Sequence, residues 1–81
     1  MLNNQGKVVG IVRGINKEKG TNWTRISLVG EYDNVNGAEG QDVESIFISR
    51  WLDVNVGDLV EVKYKPGWGG KAVPIGIIKL N

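Results

Sequence analysis

The chain has 81 residues, a net charge of +1, and neither cysteine nor histidine. This length corresponds to one small domain, and the composition excludes disulfides, thiolate zinc sites and any mechanism that depends on histidine. The first residues lack the cationic and apolar segments of a signal peptide, and the apolar runs are too short to span a bilayer. We therefore expect a cytoplasmic protein that does not enter a membrane.

The near-neutral total charge conceals an uneven distribution of acidic residues. Five of the nine acids lie between residues 31 and 44, a segment that contains no Lys or Arg. The rest of the chain carries ten basic and four acidic side chains, a net charge of +6. This distribution predicts a basic body with one acidic loop. The acids also have a simpler explanation, because they keep a long surface loop soluble.

Short alternating apolar runs and twelve glycines predict an all-β protein with little or no helix. The expected strands cover residues 7–15, 23–30, 43–49, 59–65 and 71–80. We expect the first five residues to be disordered, and the connector 50–57 has room for one short helical turn. Gly10 and Gly14 are expected to mark bulges or bends in the first strand.

Five short strands in this order can close into a small barrel, which removes the exposed edges of an open sheet. An oligonucleotide-binding (OB) barrel and an SH3-like barrel both satisfy this pattern. The long first strand, with glycines that allow it to curve, favours a single OB-like domain over residues 1–81.

Several of the strands turn an aromatic ring or a cation away from the core. Because side chains alternate along a strand, the apolar neighbours of these residues point inward and the residues themselves point outward. The outward residues are Trp23, Arg25, Phe47 and Lys63. Flat rings beside positive charge suit unpaired bases, whose faces stack and whose phosphates need neutralising.

Four stretches resemble the OB-fold single-stranded-DNA-binding proteins. GKVVGIV and TNWTRISL are similar to the first two strands of that family, and VGDLVEVKY and AVPIGIIKL are similar to its C-terminal half. The compact size resembles the members from filamentous phages, which likewise lack a long helix between strands three and four. The chain departs from the bacterial members in lacking that helix and an acidic C-terminal tail.

The resemblance spans residues 6–80 and implies binding of single-stranded DNA, with little sequence preference, during replication of a phage or mobile element. It also implies a site on the outer face of strands two and three, flanked by the loops that join strands one to two and four to five. Carried onto this chain, with the outward cation of strand four added, the candidate residues are Lys17, Lys19, Asn22, Trp23, Arg25, Phe47, Lys63, Lys65, Trp68 and Lys71.

An enzymatic function is not indicated. The stretch Gly67–Lys71 lacks the spacing of a phosphate-binding loop and precedes a strand. Asp42 and Glu44 could form a carboxylate pair, but no second group of ligands accompanies them, and we assign them to the acidic loop. We therefore expect no cofactor and no metal.

Several aromatic residues have alternative roles. Trp68 could plug one end of the barrel, Phe47 could form a subunit contact, and Trp51 is expected to cover the core. Tyr64 is expected at the barrel end. The alternative function is that of a protein-interaction or structural barrel whose exposed aromatic rings form an interface. A homodimer is expected in either case, because Ile77 and Ile78 are adjacent and cannot both be buried.

Overall fold

In the computed structural model, which describes residues 1–33 and 35–81, the chain forms one five-stranded antiparallel sheet. The strands are β1 (Gln5–Asn16), β2 (Thr21–Gly30), β3 (Asp42–Ile48), β4 (Leu59–Pro66) and β5 (Ala72–Lys79). Leu2–Asn4 and Trp68–Gly70 form single 3-10 turns. The prediction of an all-β fold with five strands is confirmed, and each predicted strand is present with slightly different ends.

The strands are arranged in the order β3-β2-β1-β4-β5, with β1 in the centre. The start of β1, residues 5–7, pairs with β4, whereas residues 7–16 pair with β2. Within the described residues, no strand pairing joins the outer edges of β3 and β5. The sheet curls into an open barrel, so the full closure that we expected from the sequence is only approximated.

Gly10 and Gly14, the two glycines of β1 at which we expected bulges or bends, have different local roles. The register with β2 shifts between Val8 and Gly10, so the expected bulge is present at the first of them. Gly14 pairs with Trp23 without a register shift. Gly14 instead leaves room for the Trp23 side chain.

The N-terminal residues, for which we expected disorder, are attached to the sheet. The Met1 amine lies 3.1 Å from the Asp42 carboxylate and 3.5 Å from that of Glu44. The hydrogen bond to Asp42 raises the pKa of this amine. The Leu2 amide also donates to the Glu31 carbonyl at 2.9 Å. These contacts assign Asp42 and Glu44 to the end of the barrel rather than to a separate carboxylate site.

The core consists of aliphatic side chains from the inner face of the strands and from the connector between β3 and β4. They are Val8, Ile26, Leu28, Ile46, Ile48, Leu52, Val54, Val60 and Val62. Each buried side chain of this kind stabilises the fold by roughly 1.5–3 kcal/mol. Tyr64 and Ile77 pack against this core while partly exposed, as predicted for Tyr64 at the barrel end. Burial raises the pKa of the Tyr64 hydroxyl.

The connector closes one end of the barrel without the helical turn that we considered for it. The buried Thr24 hydroxyl donates to the Arg50 carbonyl at 2.9 Å and accepts a hydrogen bond from the Leu52 amide at 3.1 Å. Leu52 and Val54 are the residues of the connector that cover the core. The prediction that Trp51 does so is wrong: its side chain is 56% exposed.

Candidate nucleic-acid interface

The register of the strands brings one row of predicted residues together on the outer face of the sheet. Arg25 of β2 lies opposite Phe47 of β3 and Val12 of β1. Two residues before Arg25 on β2, Trp23 lies opposite Gly14. Since Ile26 and Ile48 are buried on the other side, alternation directs these side chains outward. We call the outer side of β1, β2 and β3 the outer face.

Trp23 and Phe47 form a stacked pair on the outer face. Their ring centroids are 5.6 Å apart and their planes differ by 29°. Trp23 is half-buried and Phe47 is 52% exposed, so the pair keeps open aromatic surface. Stacking in this distance range fixes the orientation of both rings.

Gly14 provides the space in which the Trp23 indole lies. A Cβ atom at position 14 would come within 2.5 Å of the Trp23 Cζ2 atom and 2.7 Å of Cε2, well inside van der Waals contact. The ring therefore lies flat against the backbone of β1. The absence of a side chain at this position is what lets a bulky residue of β2 lie along the sheet.

The turn between β1 and β2 displays the two predicted lysines. The Asn16 side-chain oxygen accepts hydrogen bonds from the amides of Glu18 at 3.1 Å and Lys19 at 3.4 Å. The Gly20 amide donates to the Asn16 carbonyl at 2.7 Å. The backbone φ of Gly20 is 66°, a conformation that favours glycine. Lys17 and Lys19 are exposed on this turn.

Asn22 does not join the outer face. It belongs to β2 rather than to the turn, and it pairs with Ile15. Its position alternates with that of Trp23, so its side chain points to the opposite side of the strand. Asn22 therefore lies on the side of β2 that faces away from the aromatic pair.

The hairpin between β4 and β5 presents Trp68 to solvent. The indole is 97% exposed, so the idea that it plugs the barrel is wrong. The Gly67 amide donates to the Lys71 carbonyl at 2.7 Å, which closes the hairpin, and Gly69 and Gly70 have φ values of 71° and 77°. The backbone turns sharply at glycines that follow Trp68, and Lys71 is exposed beside it.

Lys63 is exposed on β4 but does not offer a free charge. Its ammonium forms an ion pair with the Glu61 carboxylate, two residues away on the same side of the strand. The hydrogen bond from Lys63 lowers the pKa of Glu61. This pairing makes Lys63 a weaker candidate for a phosphate contact than we predicted.

A groove between the ends of β3 and β5 contains a cation that the sequence analysis missed. Its lining includes Phe47, Arg50, Lys65 and Val73. The Arg50 guanidinium reaches across the opening to β5, where a Cβ at Gly76 would overlap its Nη2 atom. The groove therefore continues from the exposed Phe47 ring and has positive charge on both sides.

Among the described residues, six of the cations on this part of the molecule have no carboxylate within ion-pair distance. They are Lys17, Lys19, Arg25, Arg50, Lys65 and Lys71. Asp42 and Glu44 of the acidic segment alternate with Val43 and Ser45, so they point away from the outer face. These two carboxylates are therefore directed away from Phe47 on the same strand.

Residues 1–33 and 35–81 contain no cluster of three potential metal ligands. None of the helical turns in this described part has the length or apolar composition needed to cross a membrane. No protein-family model, curated protein or solved structure matches this chain.

Proposed function

We propose that this protein binds single-stranded nucleic acid with low sequence preference. The observation that carries the proposal is the stacked pair of Trp23 and Phe47, held open on the outer face next to Arg25. Each base stacked on an aromatic side chain contributes roughly 1–3 kcal/mol, and every base has a face that can stack. Bases in a duplex are already stacked on each other, so this platform favours unpaired strands.

The charges near the platform support an anionic ligand. Among the unpaired cations, Arg25 lies opposite Phe47 on β3, Arg50 and Lys65 share a groove with Phe47, and the lysines lie in the two hairpin loops. Each phosphate that they neutralise releases counterions, which adds a binding term independent of base sequence. The neighbouring positions Ser27 and Ser45 are small, and they leave room for bases of different size.

We propose DNA as the natural strand, with a role in covering it during replication of a phage or mobile element in the cytoplasm. The support for this finer assignment is the resemblance of the four stretches described above. The outer face itself suits DNA and RNA equally, because stacking and phosphate contacts do not read the sugar.

Fluorescence anisotropy with labelled oligonucleotides tests the proposal. We expect oligo-dT of 16 nucleotides to bind at low salt, and a blunt duplex of the same length to bind at least ten-fold more weakly. Equal affinity for both would indicate a purely electrostatic surface. No binding of either would overturn the proposal and favour the protein-interaction barrel.

We also propose that the protein is a homodimer. Ile78 and Leu80 are exposed on or just beyond β5, while their neighbour Ile77 packs against the core. A twofold pairing would cover this apolar surface with the same patch of a second copy. It would also join two binding faces in one particle and raise the affinity for long strands.

A further inference from the structure

We infer that Trp51 is a second stacking platform for the same nucleic-acid strand, distinct from the Trp23–Phe47 pair. This inference rests on the proposed function. The indole lies in the connector between β3 and β4 and remains 56% exposed, although its neighbour Leu52 is buried. The ring makes no contribution to the core that would explain its size.

One face of the Trp51 ring is covered by a fixed cation. The Arg13 guanidinium carbon lies 5.0 Å from the ring centroid. The same guanidinium donates through Nη2 to the carbonyls of Leu52 at 3.2 Å and Val54 at 2.7 Å. Its Nε is buried without a hydrogen-bond partner among the described residues. The connector therefore anchors Arg13, and Arg13 in turn supports the indole from one side.

The remaining exposed surface of this ring suits a base. A cation over one face of an indole is attracted by the ring quadrupole, which helps to hold the ring in one orientation. An ordered ring loses less conformational freedom when a ligand stacks on it. Trp51, with Arg13 on one face, would stack a base on its other face, as we propose for the Trp23–Phe47 pair on the sheet.

Trp51 lies close enough to the first platform for one strand to reach both. Thr24, the neighbour of Trp23, points to the inner side of β2 and is hydrogen-bonded to the residues on both sides of Trp51. A strand would therefore pass around the end of the barrel to reach Trp51. Phe47 and Trp51 are four residues apart, and four residues span at most about 14 Å. Arg50 lies between them in the chain and lines the groove that begins at Phe47. A phosphate contact to Arg50 would connect the two platforms.

The charges around Trp51 favour nucleic acid over a protein partner as the occupant. Arg13 and Arg50 contribute two cations, against Asp53 as the acidic residue of the connector. Neither arginine has a carboxylate within ion-pair distance in the described part of the chain. A strand that passes from Phe47 over Arg50 to Trp51 would provide Arg50 with a phosphate.

The first test uses a variant in which Trp51 is the sole tryptophan, with Trp23→Phe and Trp68→Phe. Labelled oligo-dT of 4 and 16 nucleotides reports binding by anisotropy, while Trp51 emission reports contact. We expect the 16-mer to quench Trp51 and the 4-mer to bind without quenching it. The matched variant with Trp51→Phe and Trp68→Phe, which retains Trp23, should be quenched by both lengths.

The outcomes of this test separate the inference from the proposed function. Binding of the 16-mer without quenching of Trp51 overturns the inference and leaves the proposed function intact. Failure of the wild-type protein to bind either length overturns both. Equal quenching of Trp51 by both lengths also overturns the inference, because Trp51 would then belong to the first platform.

A second test measures affinity. Loss of one stacked base corresponds to about a 5- to 150-fold loss of affinity, so we expect Trp51→Ala to show a loss in this range for the 16-mer and none for the 4-mer. Val56→Ala changes another exposed apolar residue of the same connector and should leave both affinities unchanged. Trp51→Phe keeps an aromatic ring and should retain most of the affinity. An unchanged 16-mer affinity for a folded Trp51→Ala variant would contradict the inference.

Discussion

The Trp23 and Phe47 rings stack on the outer face with centroids 5.6 Å apart, although the two residues belong to different strands. They are not direct partners in the sheet, since Phe47 pairs with Arg25 and Trp23 with Gly14. The contact is therefore diagonal, a separation that aromatic side chains can bridge. The indole therefore contacts both neighbouring strands, since it lies over Gly14 of β1 and stacks on Phe47 of β3.

The first prediction concerns Gly14. A methyl group at position 14 would overlap the Trp23 ring, so Gly14→Ala should displace the indole from Phe47 and lower single-strand affinity several-fold. Such overpacking also destabilises the fold by about 1–3 kcal/mol. Near-UV circular dichroism and thermal melting measure both effects.

Gly10→Ala is the matched control for that variant. It lies on the same face of the same strand, but a Cβ there would meet its nearest neighbour, Ser27, at an ordinary 3.6 Å. We expect this change to leave the near-UV spectrum and the affinity close to wild type. If Gly14→Ala behaved like Gly10→Ala, the indole would not depend on this close contact.

The second prediction compares two exposed residues of β3. Phe47→Ala should weaken binding of oligo-dT by about 5- to 150-fold, because it removes a stacking surface that contributes roughly 1–3 kcal/mol. Val43→Ala, at a 66% exposed position on the same face, should change the affinity little. Anisotropy titrations measure the affinities. Equal losses in both variants would argue against a stacking role for Phe47.

The third prediction separates binding from folding at Trp68. Because the indole is 97% exposed, Trp68→Ala should leave the melting temperature unchanged while it weakens single-strand binding. Leu52→Ala provides the contrast, since truncation of a buried leucine costs about 2–5 kcal/mol. A folded Trp68→Ala variant with wild-type affinity would remove the β4–β5 hairpin from the site.

The fourth prediction is self-association. Sedimentation equilibrium at tens of micromolar should give twice the monomer mass of 8.9 kDa. Ile78→Lys places a charge in the exposed apolar surface of β5 and should shift the mass to that of the monomer. Val56→Lys, at an exposed position in the connector, should not. A wild-type monomer at this concentration would contradict the dimer.

The positions of the aromatic residues on the strands could be predicted because alternation fixes them. Ile26 and Leu28 determine the outward direction of Trp23, and Ile46 and Ile48 do the same for Phe47. Their contact with each other could not be predicted, since it depends on the register between β2 and β3. Register is set by long-range pairing and by the turns, which a single sequence specifies weakly.

The exposure of Trp51 and the ion pair of Lys63 were not predicted, although both follow from alternation along a strand. Leu52 and Val54 are both buried, and their alternation directs Trp51 outward if the connector is extended. A short helical turn in the connector, which we considered instead, would not have this alternation. Glu61 and Lys63 lie two residues apart on one side of β4, so their ion pair follows from strand geometry. Arg50 was missed because its role depends on the approach of β3 and β5, which are distant in sequence.

The expected phosphate contacts give a quantitative prediction for the salt dependence of single-strand binding. If the six unpaired cations supply three to five phosphate contacts, the logarithm of the binding constant should fall with the logarithm of salt concentration with a slope of roughly −2 to −3.5. Arg25→Gln removes one candidate contact and should reduce the magnitude of that slope by about 0.7.

The most direct measurement is a titration of the intrinsic tryptophan fluorescence with oligo-dT, carried out at a series of salt concentrations. The account predicts quenching at low salt, because bases stack on exposed indoles, and recovery of the emission as salt is added, with a slope in the range given above. Unchanged fluorescence at low salt, or intact affinity with a flat salt dependence, would contradict the proposal that this face binds single-stranded nucleic acid.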